Sequence, residues 1–164
     1  MAKNTWTPDQ FEAWAMFLYG YTSIMRTIDK HLQDDFGLMM TWYEILIMLE
    51  HAPDNRLTHS AIGEGVILTR SGVTRVIDRM VKEGLVAREQ STEDRRRSYV
   101  KMTPNGRKAL DTAGPDHSQR VYDLFGKHLR AEEAPAVLSF LKRILSDDDA
   151  EMAQKRVHWS GPAK

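Results

Sequence analysis

Apolar residues recur at i, i+3, i+4 and i+7 through Val73, Val76, Ile77 and Met80, the period of a helix with one buried stripe. The positions between them, Arg70, Ser71, Thr74, Arg75, Asp78, Arg79 and Lys82, are polar, so this helix has one dry face and one wet face. Thr69 stands where an N-cap belongs and Gly84 where a C-terminal residue of positive φ belongs. Upstream, Thr7-Pro8-Asp9-Gln10 predicts a helix start with a capping box and Pro at the first helical position. A stripe through Phe11, Trp14, Ala15, Leu18, Thr22 and Met25 carries this helix to about His31 or Leu32. Met16, Phe17, Tyr19 and Tyr21 lie off that stripe, and a helix apolar on more than one side has two surfaces to pack against.

Thr41-Trp42-Tyr43-Glu44 predicts a second capping box, opening a helix with Ile45, Leu46, Met48 and Leu49 inward and ending near His51-Ala52-Pro53. Leu57 suits a short edge strand, and Thr58 to Val66 a short helix with Ala61, Ile62 and Val66 apolar. That helix and the central one, joined tightly, make a helix-turn-helix. After Gly84 the period changes to two: Leu85 to Gln90 and Arg97 to Met102 read as strands of a hairpin whose tip is charged. Thr103-Pro104 starts another helix through Ala109, Leu110 and Ala113, with Val121, Leu124 and Phe125 inward beyond Pro115, which should kink or break it. A last helix covers roughly Glu132 to Ser146, with Val137, Leu138, Leu141, Ile144 and Leu145 apolar and its start within a turn of Pro135.

The formal net charge is zero, from 23 basic and 23 acidic residues, but the distribution is uneven. Residues Ile67 to Arg107 hold ten basic side chains against five acidic ones, which leaves a basic middle between acidic ends. The absence of Cys removes disulfides, thiolate metal sites and thiol redox chemistry. No apolar run approaches the ~20 residues of a membrane span and the N-terminus lacks a signal peptide's apolar core, so the expected compartment is the cytoplasm. No G-x-S-x-G, P-loop or carboxylate pair with a positioned base points to catalysis. The six histidines include no i, i+3 or i, i+4 pair, so a metal site would have to assemble from distant positions, and no cofactor is expected.

The joint pattern of central helix and hairpin resembles the multiple-antibiotic-resistance regulator (MarR) family of bacterial transcription factors. The family's recognition-helix pattern is filled by Thr69, Ser71, Val73, Thr74, Arg75, Val76, Ile77, Asp78 and Arg79, followed by Lys82-Glu83-Gly84-Leu85-Val86. Its wing signature is filled by Asp94-Arg95-Arg96, then Arg97 to Lys101, then Met102-Thr103, with Met102 in place of the usual Leu. Ile67 stands where such a turn more often has Gly. The resemblance implies a mainly α (α+β) fold: a winged helix-turn-helix over about 38–103, flanked by N- and C-terminal dimerisation helices over about 7–33 and 104–146, in a single domain spanning 1–164. It implies a homodimer on a pseudo-palindromic double-stranded operator, more in keeping with a repressor, released by a small aromatic effector.

The DNA-binding residues expected are Thr69, Arg70, Ser71, Thr74, Arg75, Arg79, Lys82, Asp94, Arg95, Arg96 and Arg97. Arg75 suits a guanine edge, Ser71 and Thr74 are short enough for close approach, and Arg70, Arg79 and Lys82 suit phosphates. By resemblance Arg96 enters the minor groove, oriented by Asp94, with Arg95 or Arg97 on the backbone. Taken alone, a basic run at a turn is equally a solvated tip. Trp14, Trp42, Tyr43 and Met48 are candidates to line an effector cleft between dimerisation helices and winged domain, although aromatics at helical spacing are more often core. Two other readings compete: a winged-helix module that docks a protein without binding DNA, and a metal-responsive regulator.

Overall fold

A computed structural model describes residues 5–66, 70–90 and 98–146; Thr69, Asp94, Arg95, Arg96, Arg97 and everything from Asp147 onward lie outside the described residues. Six α-helices and a three-stranded sheet follow in the order α1 (Pro8–Phe36), α2 (Met40–His51), β1 (Arg56–Thr58), α3 (His59–Gly65), α4 (Arg70–Lys82), β2 (Val86–Gln90), β3 (Ser98–Met102), α5 (Pro104–Leu124) and α6 (Ala134–Ile144). The sheet is antiparallel, in spatial order β1-β3-β2, with Leu57 opposite Val100 on one side and Val86 opposite Met102 on the other. Leu57 therefore lies in an edge strand, as its isolated apolar position predicts.

The helix starts at Thr7 and Thr103 match their sequence signals, and Thr58, which the sequence reading includes in its helix, caps it instead. Thr7 accepts the Gln10 N–H while the Gln10 side chain accepts the Thr7 N–H, a complete capping box; Thr58 and Thr103 accept the N–H groups of Ala61 and Gly106. The start of α2 differs. It begins at Met40 with Met39 as N-cap, and Thr41 makes no cap; instead Asp29, on α1, accepts the Met40 N–H at 2.8 Å. The helix end is capped from another element, and Thr41 lies inside the helix, so the Glu44 N–H that its hydroxyl would have capped belongs to the helical ladder.

Helix α1 runs past His31 and Leu32 to Phe36, where Gly37 turns left-handed (φ 65°) and the Gly37 and Leu38 N–H groups bond the Gln33 and Leu32 carbonyls. Helix α5 passes Pro115 without a break. Pro115 and Asp111, whose carbonyl loses its usual donor there, are both exposed, so water can take the vacant acceptor. Phe125, expected inward, is 47% exposed, because the helix ends at Leu124 and the C-cap residue leaves the helical period. Helix α6 starts with Pro135 in its first turn, at Ala134 rather than Glu132.

The core gathers Ile28 and Leu32 from α1, Trp42, Tyr43, Ile45, Leu46 and Leu49 from α2, and Ile62 from α3. To these are added Val73, Ile77 and Met80 from α4, Val86, Val100 and Met102 from the sheet, and Leu110 and Ala113 from α5. It is the hydrophobic centre of a winged helix onto which α1 and α5 pack. Gly84 has the positive φ expected of it (70°), and Thr103 closes the junction by donating to the Gly84 carbonyl at 2.6 Å.

Candidate nucleic-acid interface

The rear of α4 is fixed by Val73, Ile77 and Met80, all buried, so the helix can present only its other side to solvent. Ser71, Thr74, Arg75, Asp78, Arg79 and Lys82 are exposed on that side, as the period predicts. Arg70 opens the helix. Among the described residues Arg75, Arg79 and Lys82 form no ion pair, whereas Asp78 is engaged by Arg88 of β2 at 2.5 Å. This pair ties the central helix to the root of the hairpin. Sequence reasoning placed Arg88 only in the basic surplus, although its period-two relation to buried Val86 put it on the helix-facing side of the strand.

Other members of that surplus are also neutralised locally. Lys101 lies 3.2 Å from Glu89, and Arg107 bonds Glu50 while its second nitrogen donates to Asn55 at 3.3 Å. Among the described residues of that stretch, the cations left to meet a polyanion are therefore Arg75, Arg79 and Lys82 of α4. His59, at the start of α3, is held below the ordinary histidine pKa by burial and then by Arg88, with Asp78 acting in the opposite sense.

A chain with these elements in this order, and with a polar face so mounted, has well-defined counterparts. The MarR family profile matches residues 38–98. The chain is 30% identical over 124 residues to the HTH-type transcriptional regulator MhqR of Bacillus subtilis, an alignment covering 76% of this chain and 83% of that protein. The chain belongs to the MarR family. It is a DNA-binding transcriptional regulator of that family rather than an enzyme. A second relative, the HTH-type transcriptional repressor YetL of Bacillus subtilis, is 26% identical over 104 residues, which cover 63% of this chain and 62% of that protein. The fold superposes with a TM-score of 0.82, at 23% identity, on Sco3205, a MarR family transcriptional regulator from Streptomyces coelicolor solved in complex with DNA. That match covers 87% of this chain and 89% of the other.

The four cleft residues expected for a MarR-type effector separate in the structure. Trp42 and Tyr43 are in the core and Met48 packs on it, while Trp14 is 48% exposed and stacks on Phe17 with ring centroids 6.2 Å apart. Beside Tyr43, where α1, α2 and α5 meet, lies a polar cluster that helix periodicity did not signal. His31 Nδ1 is 2.6 Å from Asp35 and its Nε2 bonds Asp116; Arg120 lies 3.3 Å from the same Nδ1; and His117 is tilted against Tyr43 at 4.4 Å. Trp42 Nε1 and His117 Nδ1 are buried with no hydrogen-bond partner in the structure. Burial and the charge of Glu50 push the Tyr43 phenol up to about 12. Although α1–α5 packing brings His31 and His117 together, no group of three ligating side chains among the described residues is arranged to hold a metal. No helix among them is long and apolar enough to cross a membrane.

Proposed function

We propose that this MarR-family regulator is a cytoplasmic homodimeric repressor that binds a pseudo-palindromic double-stranded operator and leaves it when a small aromatic effector binds. The observation that carries the DNA-reading assignment is the exposed Arg75–Arg79–Lys82 face of α4, without an ion pair among the described residues and mounted on a rear of buried Val73, Ile77 and Met80. An α-helix fits the major groove, where a guanidinium can fork onto guanine O6 and N7, so Arg75 reads base and Ser71 and Thr74 allow the approach. Arg70, Arg79 and Lys82 grip phosphates; Arg96 enters the minor groove, Asp94 orients it, and Arg95 or Arg97 holds the backbone. Effector release is supported by His117 Nδ1, beside Tyr43, and by Trp42 Nε1, each buried without a partner among the described residues, since unpaired buried polar atoms are satisfied when a ligand supplies partners.

The test is a titration of the wild type and Arg75→Ala on a duplex selected by the purified protein and on random duplex, at one salt concentration. Arg75→Ala should cost roughly 1–3 kcal/mol per half-site on the selected duplex and much less on the random one. Equal loss on both would make Arg75 a phosphate contact and move base reading to Ser71, Thr74 or Arg70.

A further inference from the structure

The sheet's outward face carries an ion network that spans all three strands. Arg56 is the register partner of Lys101 and Glu89 that of Tyr99, so these four side chains share one face, opposite the face of Leu57 and Val100. Arg56 Nη1 donates to Glu89 Oε1 at 2.6 Å, reaching from β1 over β3 to β2, while Lys101 Nζ lies 3.2 Å from Glu89 Oε2. The Arg56 guanidinium sits 4.8 Å from the centroid of the Tyr99 ring, and Asp54 holds its other nitrogen at 3.4 Å. Each oxygen of Glu89 thus serves a different strand. Hydrogen bonds from Lys101 and Arg56 keep the Glu89 carboxyl below the usual carboxylate range.

A two-stranded ribbon twists and bends freely on its own, and its direction is fixed only where it is tied to a third element. Glu89–Tyr99 is the second-to-last pair before the segment that carries Asp94 to Arg97, so the tie to β1 sits at the root of the wing. Exposed ion pairs contribute little to stability. A carboxylate in the basic middle of a DNA-binding chain also repels phosphate. On charge alone Glu89 hinders the activity, which makes its removal informative in sign.

We propose that Glu89 is a positioning residue for DNA binding: by clamping Arg56 of β1 and Lys101 of β3 it sets the angle at which the wing delivers its arginines to the minor groove. The inference rests on the minor-groove role of Arg96. Glu89→Gln is made in the wild-type and Arg96→Ala backgrounds. All four proteins are titrated on a selected duplex with A·T-rich flanks, the same duplex with G·C flanks, and random duplex. Glu89→Gln should weaken binding to the A·T-flanked duplex roughly threefold to tenfold, with random duplex bound as well or better, and the loss should vanish in the Arg96→Ala background. Uniformly tighter binding to all three duplexes would leave Glu89 a mere charge. Uniform loss with a lowered melting temperature, or a loss that persists without Arg96, would also overturn the proposal. If Arg96→Ala itself keeps the wild-type flank preference, the minor-groove assignment fails first, and Glu89 has no wing contact to position.

Discussion

At Gly106 helix α5 passes so close to the start of β2 that a Cβ there would lie 2.1 Å from the Leu85 carbonyl oxygen and 3.1 Å from Leu46 Cδ2. Backbone cannot give way as a side-chain end can, so Gly106→Ala must move α5 off the winged unit. The expected cost is about 1–3 kcal/mol or more, read as a lowered urea midpoint at unchanged slope. A variant as stable as the wild type would mean that the helix has slack here. A second single-residue effect depends on pH. Burial holds the His117 pKa below its ordinary 6.5, with His31 adding to the shift and Asp116 opposing it, and His59 is lowered likewise. Below that value the unfolded chain binds more protons than the folded one. Stability is thus full above 6.5 and falls as the pH drops towards the folded-state values. The window is separate from that of Glu89 and Glu133, whose lowered pKa values matter only below 4.5. Urea midpoints should fall between about pH 7.5 and about pH 5.5, and His117→Gln should flatten the fall. Full acid sensitivity in that variant would move the effect elsewhere. None of this was legible in the sequence, where Gly106 and His117 look like ordinary helical positions and acquire their constraints from Leu85 and Tyr43.

Among the elements, those with local signals were legible and those capped or tied from a distance were not. Thr7, Thr58 and Thr103 each sit three residues before the N–H they accept, so these caps are local, and the two followed by Pro, Thr7 and Thr103, can be read from the sequence directly. The cap of α2 comes from Asp29, eleven residues earlier, and a plausible capping box at Thr41 puts the N-cap two residues beyond Met39, where it lies. The two readings make opposite predictions. Asp29→Ala should destabilise by about 1 kcal/mol, whereas Thr41→Ala should cost less than about half of that. Urea unfolding of both variants decides between them, and the reverse order would restore Thr41 as the cap. The same division runs through α4 and the hairpin beside it. The buried rear and polar front of α4 follow from a period of 3.6, so the outward placement of Ser71, Thr74, Arg75, Arg79 and Lys82 could be read directly. The Asp78–Arg88 tie and the Glu89 clamp could not, because the sequence lists their members singly and only strand register brings them together.

For the whole molecule, the decisive feature is apolar surface that this chain does not cover. From Pro8 to Thr27, about 30 Å of α1 carries no buried residue, and α6 has none at all. Trp6, Trp14 and Phe17 face Phe140 and Ile144 of α6 across an open cavity of about 1040 Å³. A contiguous aromatic groove of that size is costly to leave in water, and a second copy, bringing the same two helices in reverse, is the symmetric way to fill it. The excess of aromatics on more than one side of the first helix pointed to this from the sequence, whereas its formation with α6 needed the structure. A second copy is therefore expected to be held at micromolar concentration, while the winged unit keeps a core of its own. Sedimentation of the wild type at micromolar concentration should give a dimer, and Phe17→Glu, which buries a charge in the groove, should give either a monomer or a chain with a lowered melting temperature. Two recognition helices held roughly 34–36 Å apart can engage both half-sites of a palindrome. The Phe17→Glu monomer should therefore keep binding to a single half-site while losing the added affinity for the full site, although residue 17 lies far along the chain from α4. A wild-type chain that sediments as a folded monomer, or a monomeric variant that binds the full site as tightly as the wild type, would show that DNA reading here does not depend on a second copy.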